Sequence, residues 1–324
     1  MEIIQTISQF EKVSKGCVLT IGNFDGVHIG HQEILAVAKQ AAEKRCTQLV
    51  AMTFEPHPVA VLYPERAPGV LTPLEIKTDL LAQYGVDYLI VLEDSSELLN
   101  LSPAAFVERF LVDHIQPSAV VEGQDFNFGV ERAGDISSLK KLGSASGFEV
   151  LTVGPRKIKL STGQTVRVSS TIIRYMLEGG HVADAATALG RPYRLIEKVV
   201  PGRGIGTNLG FPTLNMKKPR QVIPAEGVYA GLVRIGGSIW DVLKSNEEIR
   251  AVYSIGQART YGDEFPLLIE AHLLTGDAGD LIGKFMAMDF IQHIRNQHKF
   301  NTPQELAKQI AKDCEAARRI LDTN

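Results

Sequence analysis

Two histidines three residues apart, with a glycine between them, stand at the end of Gly22-Asn23-Phe24-Asp25-Gly26-Val27-His28-Ile29-Gly30-His31. An apolar run precedes this segment and a helical pattern follows it. A helix N-terminus offers free N–H groups and the positive end of the helix dipole, which together make a phosphate site. Gly30 allows close backbone approach, and His28 and His31 on the first turn point to the same side and donate to phosphoryl oxygens. Two other readings exist. A histidine pair binds metal, but no third ligand or supporting carboxylate is evident. The histidines could instead serve as structural caps, yet the flanking glycines and Phe24-Asp25-Gly26 favour phosphate chemistry.

Three more segments of the first half carry candidate groups. Thr53-Phe54-Glu55-Pro56-His57-Pro58 closes a second apolar run; it reads as a ligand-side segment or as a turn fixed by proline. Glu122-Gly123-Gln124-Asp125-Phe126-Asn127-Phe128-Gly129 follows a third; its Phe126 and Phe128 suit an aromatic ring, with Asp125 and Asn127 for polar recognition. Ser169-Ser170-Thr171-Ile172-Ile173-Arg174 puts hydroxyls at a helix start, as a cap or, with Arg174 one turn on, as a triphosphate site. In the second half, Gly202-Arg203-Gly204-Ile205-Gly206 leads to Thr213-Leu214-Asn215. It matches neither a dinucleotide fingerprint, since Thr207 stands where the third glycine belongs and no helix is expected after it, nor a Walker A loop. As bare chemistry, it is a flexible loop ending in two hard oxygen ligands suited to Mg²⁺, or else a mobile turn.

The elements that must position these groups change texture midway. Apolar strands at 16–22, 47–54, 86–92, 118–123 and 148–153 alternate with helices at 30–45, 73–84, 102–114 and 135–146, which predicts right-handed βαβ units on a parallel sheet. Helices at 170–178 and 181–189 follow. From 193 to 275, short β-branched strands (YRLIEKVV, GVYAGLVRIG, IRAVYSIG, LLIEAHLL) separated by Gly, Pro and Asn predict a small antiparallel barrel or sandwich. The chain ends in a helix with Thr302 as N-cap, Pro303 in the first turn and Glu305 completing a capping box. Its stripe of Leu306, Ile310, Cys314 or Ala317, and Leu321 should pack on the barrel. Expected domains are residues 1–187 and 188–324. Glu93-Asp94-Ser95-Ser96-Glu97 reads as a surface turn.

Composition sets outer bounds. The chain's 324 residues predict two domains. With 34 Lys+Arg against 37 Asp+Glu the net charge is −3, which lacks the basic face a general nucleic-acid binder needs. Three cysteines without a CxxC pair exclude a disulfide framework and a thiolate zinc site and fit a reducing cytosol. No signal peptide is read, and no apolar run approaches the length of a membrane helix. A cytoplasmic monomer or weak homo-oligomer, with small molecules as partners, is expected.

The HxGH spacing resembles class I nucleotidyltransferases. Residues 22–31, 54–58, 123–129 with Arg132 and Gly134, and 170–174 together resemble the GxFDGVHxGH, FxPHP, GxDFxFG and SSTxIR patterns of the N-terminal module of prokaryotic bifunctional riboflavin kinase/FAD synthetases. LGFPTLN (209–215) and PAEGVYAG (224–231) resemble the riboflavin kinase patterns LGFPTxN and PxxGVYA. The resemblance implies a Rossmann-like α/β module joined to a β-barrel kinase, with ATP, riboflavin and FMN as substrates and Mg²⁺ as cofactor. It implies in-line attack of the FMN phosphate on the α-phosphorus of ATP, with His28 and His31 stabilising the charge. In that module Gly22, Asn23, Phe24, Gly30, Ser170, Thr171 and Arg174 would serve ATP, and His57, Asp125, Phe126, Asn127 and Phe128 the flavin. In the kinase it implies Gly204, Gly206 and Thr213 at ATP, Thr213 and Asn215 at Mg²⁺, Glu270 as the base for the riboflavin 5′-hydroxyl, and Arg295 near the flavin. Departures stand beside it: Ser254-Ile-Gly-Gln-Ala-Arg-Thr260 replaces NIGxxPT, HLLTG replaces HLLDF, Ile205 stands where a basic residue is common, and Asn296-Gln297 replaces the usual acid after Arg295. They motivate an alternative, a monofunctional FMN adenylyltransferase with a degenerate kinase module.

Overall fold

The computed structural model describes the chain except residues 94–95, 258–266, 276–280 and 324, and the side chains of residues 7 and 8. Ala258 to Thr260 of the SIGQART segment, Gly276 of HLLTG, and Asp94-Ser95 of the acidic turn therefore lie outside the described residues. The chain divides into two compact units, the first formed by Met1–Pro68, Ile76–Lys157 and Thr165–Val168, the second by Gly69–Glu75, Ile158–Gln164 and Ser169–Asn324. The helices that follow residue 169 thus group with the barrel.

The first unit holds a six-stranded parallel sheet: β1 (Glu2–Ile4), β2 (Val18–Ile21), β3 (Leu49–Phe54), β4 (Tyr88–Leu92), β5 (Ala119–Gly123) and β6 (Glu149–Val153). Their order is β1-β4-β3-β2-β5-β6. All four residues of β2 and the first five of β3 are buried, as continuous apolar strands covered on both faces must be. Helix α1 (Ile29–Lys44) carries the chain from β2 to β3, and α2 (Leu74–Gln83) leads into β4. Residues Phe106–Ile115 coil with the wider π spacing, and α3 (Ile136–Ser146) precedes β6. Asp135 caps α3 by accepting from Ser138 N at 2.7 Å. The order matters for function. β3 lies on one side of β2 and β5 on the other, so the end of β2 is the point where the winding reverses, the place where open α/β sheets bind ligands.

The second unit begins with α4 (Ser170–Glu178) and α5 (Val182–Leu189). A closed antiparallel barrel follows: β7 (Tyr193–Val200), β8 (Leu214–Met216), β9 (Gly227–Gly236), β10 (Ile249–Gln257), β11 (Leu267–Leu273) and β12 (Phe285–Arg295), in the order β7-β8-β11-β10-β9-β12. Closure removes sheet edges and resolves the choice between barrel and sandwich. Inside, Phe290 meets the Tyr229 and Tyr253 rings edge-on at 5.3 and 5.0 Å. Tyr253 needs Gly231 beneath it, because a Cβ there would fall 2.3 Å from the ring. The final helix α6 (Pro303–Asp322) buries Cys314, Ala317 and Leu321 against Val228, Ala230 and Val252. Thr302 accepts from Glu305 N as expected, but the Glu305 carboxylate reaches Asn301 N at 3.0 Å rather than the cap's own N–H, so the capping box is displaced by one residue.

Candidate active sites

The loop after β2 is held in a shape its residues would not adopt alone. Phe24 and Val27 sit at φ +46° and +39°, and Gly26 at +92°. Phe24 is buried and meets the His31 ring at 5.3 Å, so core packing locks the loop. His28 is not on the first turn but is the N-cap of α1; its Nδ1 accepts from His31 N at 3.3 Å. That bond places the ring proton of a neutral His28 on Nε2. The two imidazoles stack at 3.6 Å and 12°. Gly30 makes this possible, since a Cβ there would stand 3.2 Å from His28 Cε1 and Nδ1. Cap and phosphate donor are thus compatible roles of one residue. Among the described residues no group of three or more His, Cys, Asp or Glu is arranged to hold a metal.

The end of β3 joins this loop. His57 Nδ1 accepts from Val59 N at 3.1 Å, and its Nε2 lies 2.9 Å from the Asn23 amide. Thr53 Oγ1 donates to Asn23 O at 3.2 Å. Behind Thr53 stands Lys77 of α2, 4% exposed, its Nζ 3.4 Å from Thr53 Oγ1 and 3.9 Å from Glu55 Oε2. Burial lowers the Lys77 pKa against the pull of Glu55 and Asp25. Glu122, at the end of β5, is buried and accepts from Ile21 N at 2.5 Å; burial pushes its carboxyl well above the usual range, against the pull of the Ile21 N–H. Neither Lys77 nor Glu122 was expected in the site.

The third segment divides. Phe126 stacks on Phe128 at 5.8 Å, but Phe128 is 6% exposed and packs on Phe106 within the core. Phe128 therefore backs Phe126 from the core side. Asp125 pairs with Arg167 at 2.5 Å, and Asn127 Oδ1 accepts from Arg132 at 3.3 Å. In the second unit Ser169 caps α4, accepting from Ile172 N at 3.3 Å, so the cap falls one residue before Ser170 and Thr171. Arg174 Nε donates to Gly69 O at 2.6 Å.

The barrel assembles a second group of residues. Cα partners on successive strands form one circumferential row: Val200, Asn215, Glu270, Ser254, Val228 and Arg295. Directly opposed residues on antiparallel strands share a face. Glu270 is thereby flanked by Asn215 and Ser254, and Thr213 Oγ1 donates to its Oε1 at 3.4 Å. Burial raises the Glu270 pKa, opposed by Arg203 and the Thr213 bond. The glycine loop contains a one-turn helix, Ile205–Asn208, where no helix was expected; Gly206 is required because a Cβ would meet Phe211 O at 2.4 Å. Asn215 presses on Gly202, where a Cβ would stand 2.1 Å from Nδ2. Gly204, at φ +72°, opens the helical turn. Hydroxyl, amide oxygen and carboxylate are hard donors of the kind Mg²⁺ takes. Arg295 forks onto Asp313 of α6 through Nε and Nη2 at 2.9 and 2.7 Å, and its Nη1 donates to Asn296 O at 3.0 Å. Its Nε, Nη1 and Nη2 each meet a partner within the protein.

Comparison with known proteins follows this division. Residues 10–172 match the FAD synthetase family model and residues 189–321 the riboflavin kinase model. The chain is 35% identical over 323 residues to a bifunctional riboflavin kinase/FMN adenylyltransferase of Escherichia coli strain K12, covering 99% of this chain and 98% of the relative. A protein of the same description from Haemophilus influenzae is 33% identical, with both chains fully covered. Among solved structures, one described as a macrolide-efflux protein from Streptococcus pneumoniae superposes with a TM-score of 0.83 at 27% identity, covering 98% of this chain and 99% of its own. Among the described residues, no helix here is long and apolar enough to cross a membrane.

Proposed function

The chain belongs to the bifunctional riboflavin kinase/FMN adenylyltransferase family, which phosphorylates riboflavin to FMN and adenylylates FMN to FAD with ATP, and from that premise we propose how its residues divide the two reactions. Residues 1–187 carry adenylylation and 188–324 phosphorylation, and the enzyme works in the cytoplasm as a monomer or weak homo-oligomer.

In adenylylation the FMN phosphate attacks the α-phosphorus of ATP in line and pyrophosphate leaves. His28 and His31 stabilise the charge that grows in the transition state, and their stacking at the start of α1, which holds the two rings together, supports that joint role. Gly22, Asn23, Phe24 and Gly30 shape the loop around ATP, and Ser170, Thr171 and Arg174 keep the ATP role that the resemblance gives them. His57, Asp125, Phe126 and Asn127 recognise the flavin. In phosphorylation Glu270 accepts the proton of the riboflavin 5′-hydroxyl late, as the γ-phosphoryl arrives. Its burial supports this role, because a raised pKa makes a carboxylate a better base. Thr213 and Asn215 would hold Mg²⁺, with Gly204 and Gly206 shaping the loop at ATP; when bound, the ion neutralises phosphate charge. Arg295 acts at the flavin through the segment it anchors to α6.

The row that sets Glu270 between Asn215 and Ser254 is the observation that carries the kinase assignment. Purified protein given riboflavin, ATP and Mg²⁺, with a parallel reaction started from FMN, should yield FAD in both. His31→Ala should abolish FAD while sparing FMN formation, and Glu270→Ala should do the reverse. Loss of both activities from either substitution in folded protein refutes the division.

A further inference from the structure

Two of the positions where this chain departs from its family meet in one hydrogen bond. Gln297 Nε2 donates to Ser254 Oγ at 2.9 Å and to Ile255 O at 3.1 Å, and lies 3.4 Å from Gly227 O. The socket is built for it. The side chain rests on Gly256, where a Cβ would stand 3.2 Å from Cγ and Nε2. Gly227 and Ile255 are Cα partners, so one amide ties the end of the β9–β10 pair to the segment leaving β12. Arg295, two residues earlier, fastens that segment to α6 through Asp313. Every partner of Nε2 is an acceptor, and an amide nitrogen supplies two hydrogens.

Ser254 in turn is the cross-strand partner of Glu270. A hydroxyl that accepts from Gln297 keeps its own hydrogen to donate. We propose that Gln297 is a positioning residue for riboflavin phosphorylation: it fixes the Ser254 hydroxyl beside Glu270. This inference rests on Glu270 as the base.

The test is steady-state phosphorylation of riboflavin by the full chain, with FMN adenylylation measured on the same preparations. Gln297→Met keeps the length and removes both hydrogens, and Ser254→Ala removes the single oxygen. Each should lower kcat by about tenfold while riboflavin KM moves by less than about threefold, since positioning acts in the transition state. The double variant should be no slower than the worse single by more than about twofold, because one bridge is being removed. Adenylylation should stay within about twofold of wild type, as an effect confined to the barrel requires. A Gln297→Met enzyme with unchanged kcat, singles whose effects multiply, or adenylylation lost in parallel each overturns the proposal. If Gln297→Met does not fold, Ser254→Ala alone decides, since Gln297 then keeps its carbonyl bonds. Glu270→Gln, run alongside, separates the two ideas. Activity retained there with Gln297→Met impaired removes the base assignment, and the reverse removes the bridge.

Discussion

Replacing Asp313 by Leu should unfold the barrel far more easily than an exposed ion pair would suggest. The Asp313 side chain is 4% exposed and that of Arg295 18%, and the guanidinium fork meets both carboxylate oxygens. Gln309 adds a third donor at 2.9 Å. Removing one partner of such a pair leaves the other charge desolvated, a cost of about 3–5 kcal/mol. For a unit of this size each kcal/mol moves Tm by roughly 2–4 °C, so the barrel transition should fall by roughly 6–20 °C. Removing both charges with Arg295→Met and Asp313→Leu should recover most of the loss, because buried pairs exchange for apolar residues at little net cost. Differential scanning calorimetry of the four proteins reads this directly. A single substitution costing less than about 1 kcal/mol, the value of an exposed bridge, would refute the reasoning, as would a double variant no more stable than the singles.

Three other outcomes are expected. His28→Ala removes an N-cap worth about 1 kcal/mol but should lower FAD formation from FMN by about 10²–10³, as loss of a transition-state donor does; a rate loss explained by unfolding in a thermal scan would contradict it. Lys77→Met should slow FAD formation by about tenfold without lowering Tm: a folded pKa below the unfolded value means that the charged ammonium costs stability at neutral pH, so its removal gives that back. A drop in Tm would show that Lys77 acts mainly as a brace. A native thiol titration should find one fast cysteine, the exposed Cys46, since Cys314 is buried and burial pushes Cys17 up to about 12; Cys46→Ser should abolish the fast phase.

The sequence disclosed elements wherever one periodicity ruled. YRLIEKVV and GVYAGLVRIG coincide with β7 and β9. The longest strand, β12, escaped notice because Met286 to Phe290 are all buried, which erases the alternation that marks a half-exposed strand. β1, three residues long, gave no window for a pattern. Within the site, the histidines were legible because glycines bracket them. Lys77 was legible in principle: with Leu74 and Leu81 it keeps helical spacing, and a lysine on such a stripe signals a buried charge. Glu122 looked like the polar end of an apolar strand, and only the reversal of winding beside β2 shows that this end is interior. That Phe128 packs on Phe106 was not legible, because a sequence cannot distinguish a ring face turned to solvent from one turned to the core.

The circumferential row across the barrel also bears on how such an enzyme can change over time. Asn215, Glu270, Ser254 and Arg295 fall in one row because the hydrogen-bond registers of β8, β11, β10, β9 and β12 match strand by strand. Substitution leaves that register untouched, so a residue such as Ser254 can change in place. Inserting or deleting one residue within a strand instead turns its side chains to the opposite face unless a bulge absorbs it, as the register shifts between β9 and β12 do at Ile291 and Ile294. Lineages of this fold should therefore vary most in the length of the connections between strands, with length changes inside strands confined to bulges.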